Sequence, residues 1–194
     1  MSRGTARPLV WRFIDKAAWG DGPWVGEPDK VQWRDRSTGL FCLANRNLWI
    51  GNWCGYVGVR PSHPAYGKNY DDDVLASVSV HGGLTFAEGC RPPRADPAAF
   101  ADEIAFSGAR LLPGADLTEA RICHVAPTPA EDDVWWLGWD AGHAWDLMPA
   151  RAGWRRRVAP ELPLTDFPYE TYRDLAYVKR ECRRLARQLA RMPT

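Results

Sequence analysis

At 194 residues, with 45% hydrophobic and 25% charged residues, the chain is long enough to bury a core without disulfide support. No apolar stretch approaches the roughly 20 residues that span a bilayer, and residues 1–10 lack the apolar middle of a secretion signal, so a cytoplasmic single domain over residues 1–194 with no membrane partner is expected. The net charge of +1 hides a split: residues 151–194 hold 11 Lys/Arg against 5 Asp/Glu, while the first 150 hold 14 against 19. Five widely spaced cysteines with no CxxC pair argue against a zinc ribbon, and their odd number against a complete disulfide framework; buried reduced thiols are expected.

Residues 1–10 read as a flexible tail. Residues 11–18 suit a short helix or edge segment, closed by turn chemistry at Gly20-Asp21-Gly22-Pro23 and Glu27-Pro28-Asp29. Residues 39–45 and 48–59 read as strands, the second with internal glycines of the kind that mark bulges or close backbone approach. A Pro/Gly loop follows over 60–70, then a solvated turn at Asp71-Asp72-Asp73. Residues 74–80 alternate as a half-buried strand. Asp96 followed by Pro97 predicts a helix start, which makes a helical insertion near 96–112. Residues 121–125 and 134–139 complete the strands, and 150–163 form a Pro- and Arg-rich connector.

The C-terminal helix is expected over 169–192, capped by Thr165 or Asp166 with Pro168 in its first turn. Leu175, Val178, Cys182, Leu185, Leu189 and Met192 fall on one face at alternating three- and four-residue steps. That stripe can dock on the core or pair two copies as a homodimer. The elements together predict an α+β fold: a mainly antiparallel sheet packed by a long amphipathic C-terminal helix.

Several motifs stand out: Gly22-Pro23-Trp24, Glu27-Pro28-Asp29-Lys30, Cys54-Gly55-Tyr56-Val57-Gly58-Val59, His63-Pro64, Tyr66-Gly67-Lys68, Tyr70-Asp71, His81-Gly82-Gly83-Leu84-Thr85-Phe86, and Trp135-Trp136-Leu137-Gly138-Trp139-Asp140 with His143 and Asp146. This pattern resembles an uncharacterised family of small proteins found in bacteria and their phages. The resemblance runs over nearly the whole length and implies distribution and motif, not an activity. Similar proteins often read Asp-Cys-Ala-His where this chain has Asp140-Ala141-Gly142-His143, so a thiol at position 141 is absent here.

Function is read from the four histidines. His63, His81 and His143 lie beside Gly, Pro and Asp at the ends of expected strands, with Asp140 and Asp146 close to His143, whereas His124 sits in an apolar run and reads as structural. Imidazoles and carboxylates gathered in one pocket can move protons or hold a divalent metal. His63 and His81 are the expected acid/base pair, with His143 and Asp140 orienting or ligating. Arg60 and Lys68 would hold an anion, the Gly82 and Gly83 amides a phosphate, Trp53 and Tyr66 would stack on a base, and Asp146 would complete the ligand site. The expected activity is hydrolysis of a phosphate-bearing small ligand, a nucleotide, by a phage- or prophage-type accessory protein. Two other readings follow from the same residues: binding a nucleotide signal without cleaving it, as an anti-defence sponge, or engaging an acidic protein through the basic C-terminal helix. P-loop, GxGxxG and GxSxG patterns are absent, as is any duplex-DNA motif.

Overall fold

The computed structural model describes residues 7–90, 110–161 and 169–193. Among them are β1 (Leu9–Trp11), β2 (Ile14–Asp15), β3 (Lys30–Arg34), β4 (Phe41–Arg46), β5 (Trp53–Val59), β6 (Phe86–Gly89), β7 (Arg110–Leu111), β8 (Trp135–Asp140), α1 (Pro149–Val158) and α2 (Leu175–Leu189). Six strands form one sheet in the order β1-β3-β4-β5-β8-β6, and β2 pairs with β7. Every strand pairing is antiparallel.

The two-residue period of the strands sorts side chains between two faces. Phe41, Leu43, Cys54, Tyr56 and Trp136 pack on one. Cys42, Ala44, Trp53, Val57, Val59, Leu137 and Trp139 pack on the other, against Val178, Cys182, Leu185, Ala186 and Leu189 of α2. A Cβ at Gly55 would stand 2.8 Å from Cys182 Sγ and 2.9 Å from the Trp139 indole, so the bare backbone of β5 is what lets α2 settle so closely. The apolar stripe of α2 is therefore consumed inside its own chain, while Arg180, Arg183, Arg184 and Arg187 face solvent.

Two acidic residues, Asp29 buried and Glu27 half-buried, tie the chain together. Asp29 accepts from the Phe13 and Ile14 amides at 2.7 and 2.9 Å and pairs with Lys16 at 2.7 Å. Glu27 accepts from Arg46 Nη2 and Trp53 Nε1, both at 2.9 Å, from the Tyr172 hydroxyl, and from the Leu175 amide at 2.8 Å. Since the Leu175 amide opens α2, Glu27 bolts the helix start to β4 and β5. Burial pushes the Glu27 carboxyl up, but these donors and the Arg46 charge outweigh it and hold the group below its ordinary value.

Several expectations are corrected. The C-terminal helix begins at Leu175, with Asp174 as its N-cap accepting from the Tyr177 amide at 2.7 Å; residues 169–174 are not helical, and residues 162–168 lie outside the described residues. Residues 74–80 are not a strand: Asp72 caps a 3-10 turn over Asp73–Leu75, and a local side-chain cap outcompetes the alternating pattern. Residues 121–125 are irregular. The connector contains α1, started by Pro149 and packed through Ala150, Ala152 and Gly153 on the Ala17–Trp19 turn, where tertiary contact compensates a weak apolar pattern. The helical insertion lies outside the described residues, apart from Arg110 and Leu111, which form β7. Cys90 and Cys123 are joined as a disulfide, while Cys42, Cys54 and Cys182 are free and buried. No helix among the described residues is long and apolar enough to cross a membrane.

Candidate functional site

The register of the sheet decides which motifs can meet. Cys54 of β5 lies opposite Asp140 at the end of β8, and Val59 lies opposite Trp135 at its start. Phe86, which opens β6, lies opposite Gly138. The chain therefore leaves β8 at the same end where it enters β6, and α2 begins there as well, with Tyr177 6.4 Å from the Trp139 ring. His81, Asp140, His143, Asp146, Arg173 and Tyr177 collect at this end.

Asp146 is the buried centre, 2% exposed. Its Oδ2 accepts from His81 Nε2 at 2.6 Å and from the His143 amide at 3.2 Å; its Oδ1 accepts from Arg173 Nε at 2.8 Å. His81 Nδ1 meets the Tyr177 hydroxyl at 2.9 Å, and the His81 amide donates to Glu181 Oε2 at 3.2 Å. With Nε2 facing a carboxylate, Nδ1 is the acceptor and the tyrosine the donor. Burial, then the Glu181 and Asp146 carboxylates, against Arg173 and Arg180, push the Tyr177 hydroxyl above its ordinary value and keep it protonated at neutral pH.

The His143 ring packs 5.6 Å from that of His81 and directly over Gly82. A Cβ at Gly82, whose φ is +67°, would lie 2.1 Å from the imidazole, so glycine is required twice over, by backbone and by space. His143 Nδ1 is buried without a hydrogen-bond partner among the described residues, 3.8 Å from Asp140 Oδ1. Asp140 itself accepts from the Gly142 amide at 2.8 Å and from Thr85 Oγ1 at 3.2 Å. Between His143 and Asp146, Trp145 adopts φ +74°, a strained conformation for a bulky residue, and the reversal returns the Asp146 carboxylate to the His143 amide. His81, His143 and Asp146 each place one donor atom within 4.8 Å of the other two.

Donor type and surroundings fit a divalent cation. Two imidazoles and one carboxylate are a common set for zinc and other first-row metals. The atoms that would not ligate are held by an outer layer: Asp146 Oδ1 by Arg173, and His81 Nδ1 by Tyr177. A cation at His81 Nε2 would move the ring proton to Nδ1, where the Tyr177 oxygen can accept it.

Other expected site residues lie elsewhere. His63 Nδ1 accepts from the Ala65 amide at 3.1 Å, which leaves Nε2 to donate to the Leu189 carbonyl at 3.0 Å. Leu189 and the His81 partner Tyr177 are 12 residues apart on α2, about 18 Å at 1.5 Å per residue. His63 therefore caps the helix end and does not reach His81. Arg60 pairs with Glu131, Tyr66 donates to Asp133, and Lys68 pairs with Asp72 at 3.5 Å while its carbonyl holds Trp135 Nε1. Trp135 starts β8, about 17 Å from Asp140 at 3.3 Å per residue, so these three residues surround the opposite end of the sheet. Trp53 is fully buried, its indole nitrogen on Glu27 and its ring 4.1 Å from the Arg46 guanidinium, with no face left for a base. The Gly83 amide donates to the Val80 carbonyl at 3.1 Å and is not free for a phosphate.

Tyr177 and Arg173 were not expected at the site. Their signal is positional: the first turn of a helix that starts where two histidine motifs end. Asn52, 2% exposed, was missed too; its side-chain amide makes no hydrogen bond among the described residues and lies beside Gly142. No family model, curated protein or solved structure matches the chain, so the chemistry of these residues carries the functional reading.

Proposed function

We propose that the cluster of His81, His143 and Asp146 is the active centre of a hydrolase acting on a phosphate ester of a small ligand, of the nucleotide class, in a phage- or prophage-type accessory protein, with a divalent metal held by those three residues. The observation that carries this reading is that three donors from two distant segments, His81 from one and His143 and Asp146 from the other, lie within 4.8 Å of one another while Arg173 and Tyr177 anchor the outer atoms of Asp146 and His81. Cationic groups stand beside them: the guanidinium carbons of Arg173 and Arg180 lie 4.9 and 5.4 Å from the Tyr177 ring, suited to a phosphate. A metal held by His81, His143 and Asp146 would supply a lowered pKa of bound water and polarisation of a phosphoryl oxygen. Asp140, 32% exposed, would be the carboxylate that accepts a proton, and Tyr177 would orient His81 through Nδ1.

The test is hydrolysis of a panel of nucleotides, read as inorganic phosphate released from mononucleotides and as nucleotide products formed from cyclic and dinucleotides, with metal supplied and then chelated. Release is expected to fall on chelation and, in His143→Ala, by about a hundredfold or more. Ligand recovered intact from a tight complex would replace hydrolysis by the sponge reading; activity unchanged by chelation would remove the metal.

A second reading has its own observation. A groove of about 1030 Å³ is lined by Arg34, Arg36, Arg60, Lys179, Arg183 and Arg187 against only Asp35 and Glu131, with Trp33 in its wall. It suits an acidic protein partner engaged through the exposed side of α2. Charge reversal at Lys179, Arg183 and Arg187 is expected to abolish capture of such a partner while leaving phosphate release intact.

A further inference from the structure

A second group of metal-ligating side chains stands apart from the histidine cluster. Cys90 follows β6, while Cys123 and His124 lie in the irregular segment after the Leu117–Ala120 turn. One donor from each of the three lies within 4.8 Å of the other two. The cysteines are joined, 33 residues apart in sequence with their Cα atoms 4.8 Å apart. His124 is 7% exposed, and its Nε2 meets the Glu131 carbonyl at 2.8 Å. A carbonyl only accepts, so Nε2 carries the proton and Nδ1 presents its lone pair. That nitrogen points at sulfur, 3.8 Å from Cys90 Sγ. Zn–S and Zn–N bonds of about 2.3 and 2.1 Å at a tetrahedral angle separate S and N by about 3.6 Å, so His124 already stands at ligand distance from Cys90.

The segment carrying Cys123 and His124 has no ladder of its own, yet the sheet pins it. Asn45 Nδ2 donates to the Ala120 carbonyl at 2.7 Å, and Lys30 Nζ to the Arg121 carbonyl at 2.9 Å. Gln32 clamps Val125 twice, donating to its carbonyl at 2.9 Å and accepting from its amide at 2.7 Å. The His124 ring is wedged between Phe41 at 4.6 Å and Trp136 at 5.5 Å. None of these contacts uses the disulfide, so opening it leaves the imidazole in place; the two sulfurs then part to about 3.8 Å, the spacing of two thiolates on one zinc at about 2.3 Å and a tetrahedral angle.

We propose that Cys90, Cys123 and His124 form a thiol-dependent metal centre for zinc or another soft divalent cation, closed off by the disulfide and opened by reduction. A dithiol reductant exchanges with the Cys90–Cys123 bond, yielding two protein thiols and the oxidised reductant. The cation then displaces one proton from each thiol and binds both sulfurs and His124 Nδ1, leaving a fourth position for water or a small ligand. In a reducing compartment the metal form is the working one; in an oxidising one the disulfide is.

The experiment is Co²⁺ titration of the full chain, oxidised and then reduced, with near-ultraviolet circular dichroism to follow the fold. Thiolate-to-cobalt charge-transfer absorption is expected only in the reduced protein, saturating at one ion and bleached by zinc. Cys90→Ser/Cys123→Ser, which keeps the other three cysteines, is expected to lose the band. His124→Ala is expected to weaken Co²⁺ binding at least tenfold. The His81, His143 and Asp146 site contains no sulfur and cannot produce this band, so either site can fail without the other. The proposal is overturned if the reduced, folded protein takes up Co²⁺ without the band, if the serine variant keeps it, or if reduction alone erases the near-ultraviolet signal.

Discussion

Arg46→Met would test the idea that the Glu27 and Asp29 network holds α2 on the sheet. The guanidinium is 2% exposed; it donates to Glu27 at 2.9 Å, to the Gly51 carbonyl at 2.8 Å and to the Tyr172 oxygen at 3.1 Å, and it lies 3.7 Å from Asp29. Methionine fills much of the same volume but leaves the Glu27 carboxylate with neutral donors only and Asp29 with Lys16 as its one remaining cationic partner among the described residues. Removing one partner of a buried pair costs about 3–5 kcal/mol, and at about 2–4 °C per kcal/mol for this length the melting temperature should fall by roughly 6–20 °C. Urea unfolding of Arg46→Met, Glu27→Gln and the double variant supplies the cycle. The double variant should be less destabilised than the sum of the singles by about 1–3 kcal/mol, because neutralising Glu27 removes the charge that Arg46 no longer answers.

The same network has a pH signature. The folded Glu27 carboxyl is held below its ordinary 4.5, so as pH falls the unfolded chain takes the proton first. Its contribution is complete above that value and is lost as pH drops through the folded one. Without Arg46 the folded value rises, so Arg46→Met should lose less stability between pH 7 and pH 4 than the parent. Costs under about 1 kcal/mol, or strict additivity in the cycle, would refute the reasoning.

Further outcomes follow from other contacts. His63→Ala should cost about 1 kcal/mol, by urea titration, through the lost cap on Leu189, and leave phosphate release unchanged. Gly82→Ala must strain a backbone at φ +67° and push the His143 ring aside, so release should fall with little change in far-ultraviolet circular dichroism. Burial, then the Arg121 charge, lowers Lys30 from 10.5 to about 8; the unfolded chain therefore holds more protons between those values, and the protein should gain up to about 3 kcal/mol over Lys30→Met as pH rises through that window. Under oxidising conditions Cys90→Ser/Cys123→Ser should lose about 3–4 kcal/mol, the chain-entropy term for a 33-residue loop, by chemical denaturation.

The apolar strand runs within 39–45 and 48–59, the 3.6-residue stripe of 175–189 and the glycines of the His81 motif were legible because each depends on near neighbours: an extended buried run, a helical turn, a backbone angle. From these the α+β class and the C-terminal helix follow. The grouping of motifs was not legible. His63 and His143 both follow strands and looked equivalent, but β5 and β8 are antiparallel neighbours, so their C-terminal ends lie at opposite ends of the sheet. His81 reaches His143 because it precedes β6, whose start is level with the end of β8. The Glu27-Pro28-Asp29 segment read as a breaker, and only the arrival of Arg46 and Trp53 from neighbouring strands and of Tyr172 and Leu175 from the start of α2 makes it an anchor. Residue types and local periods are written along the chain; which ends of which strands come together is set by register, a long-range choice made when whole faces are buried at once.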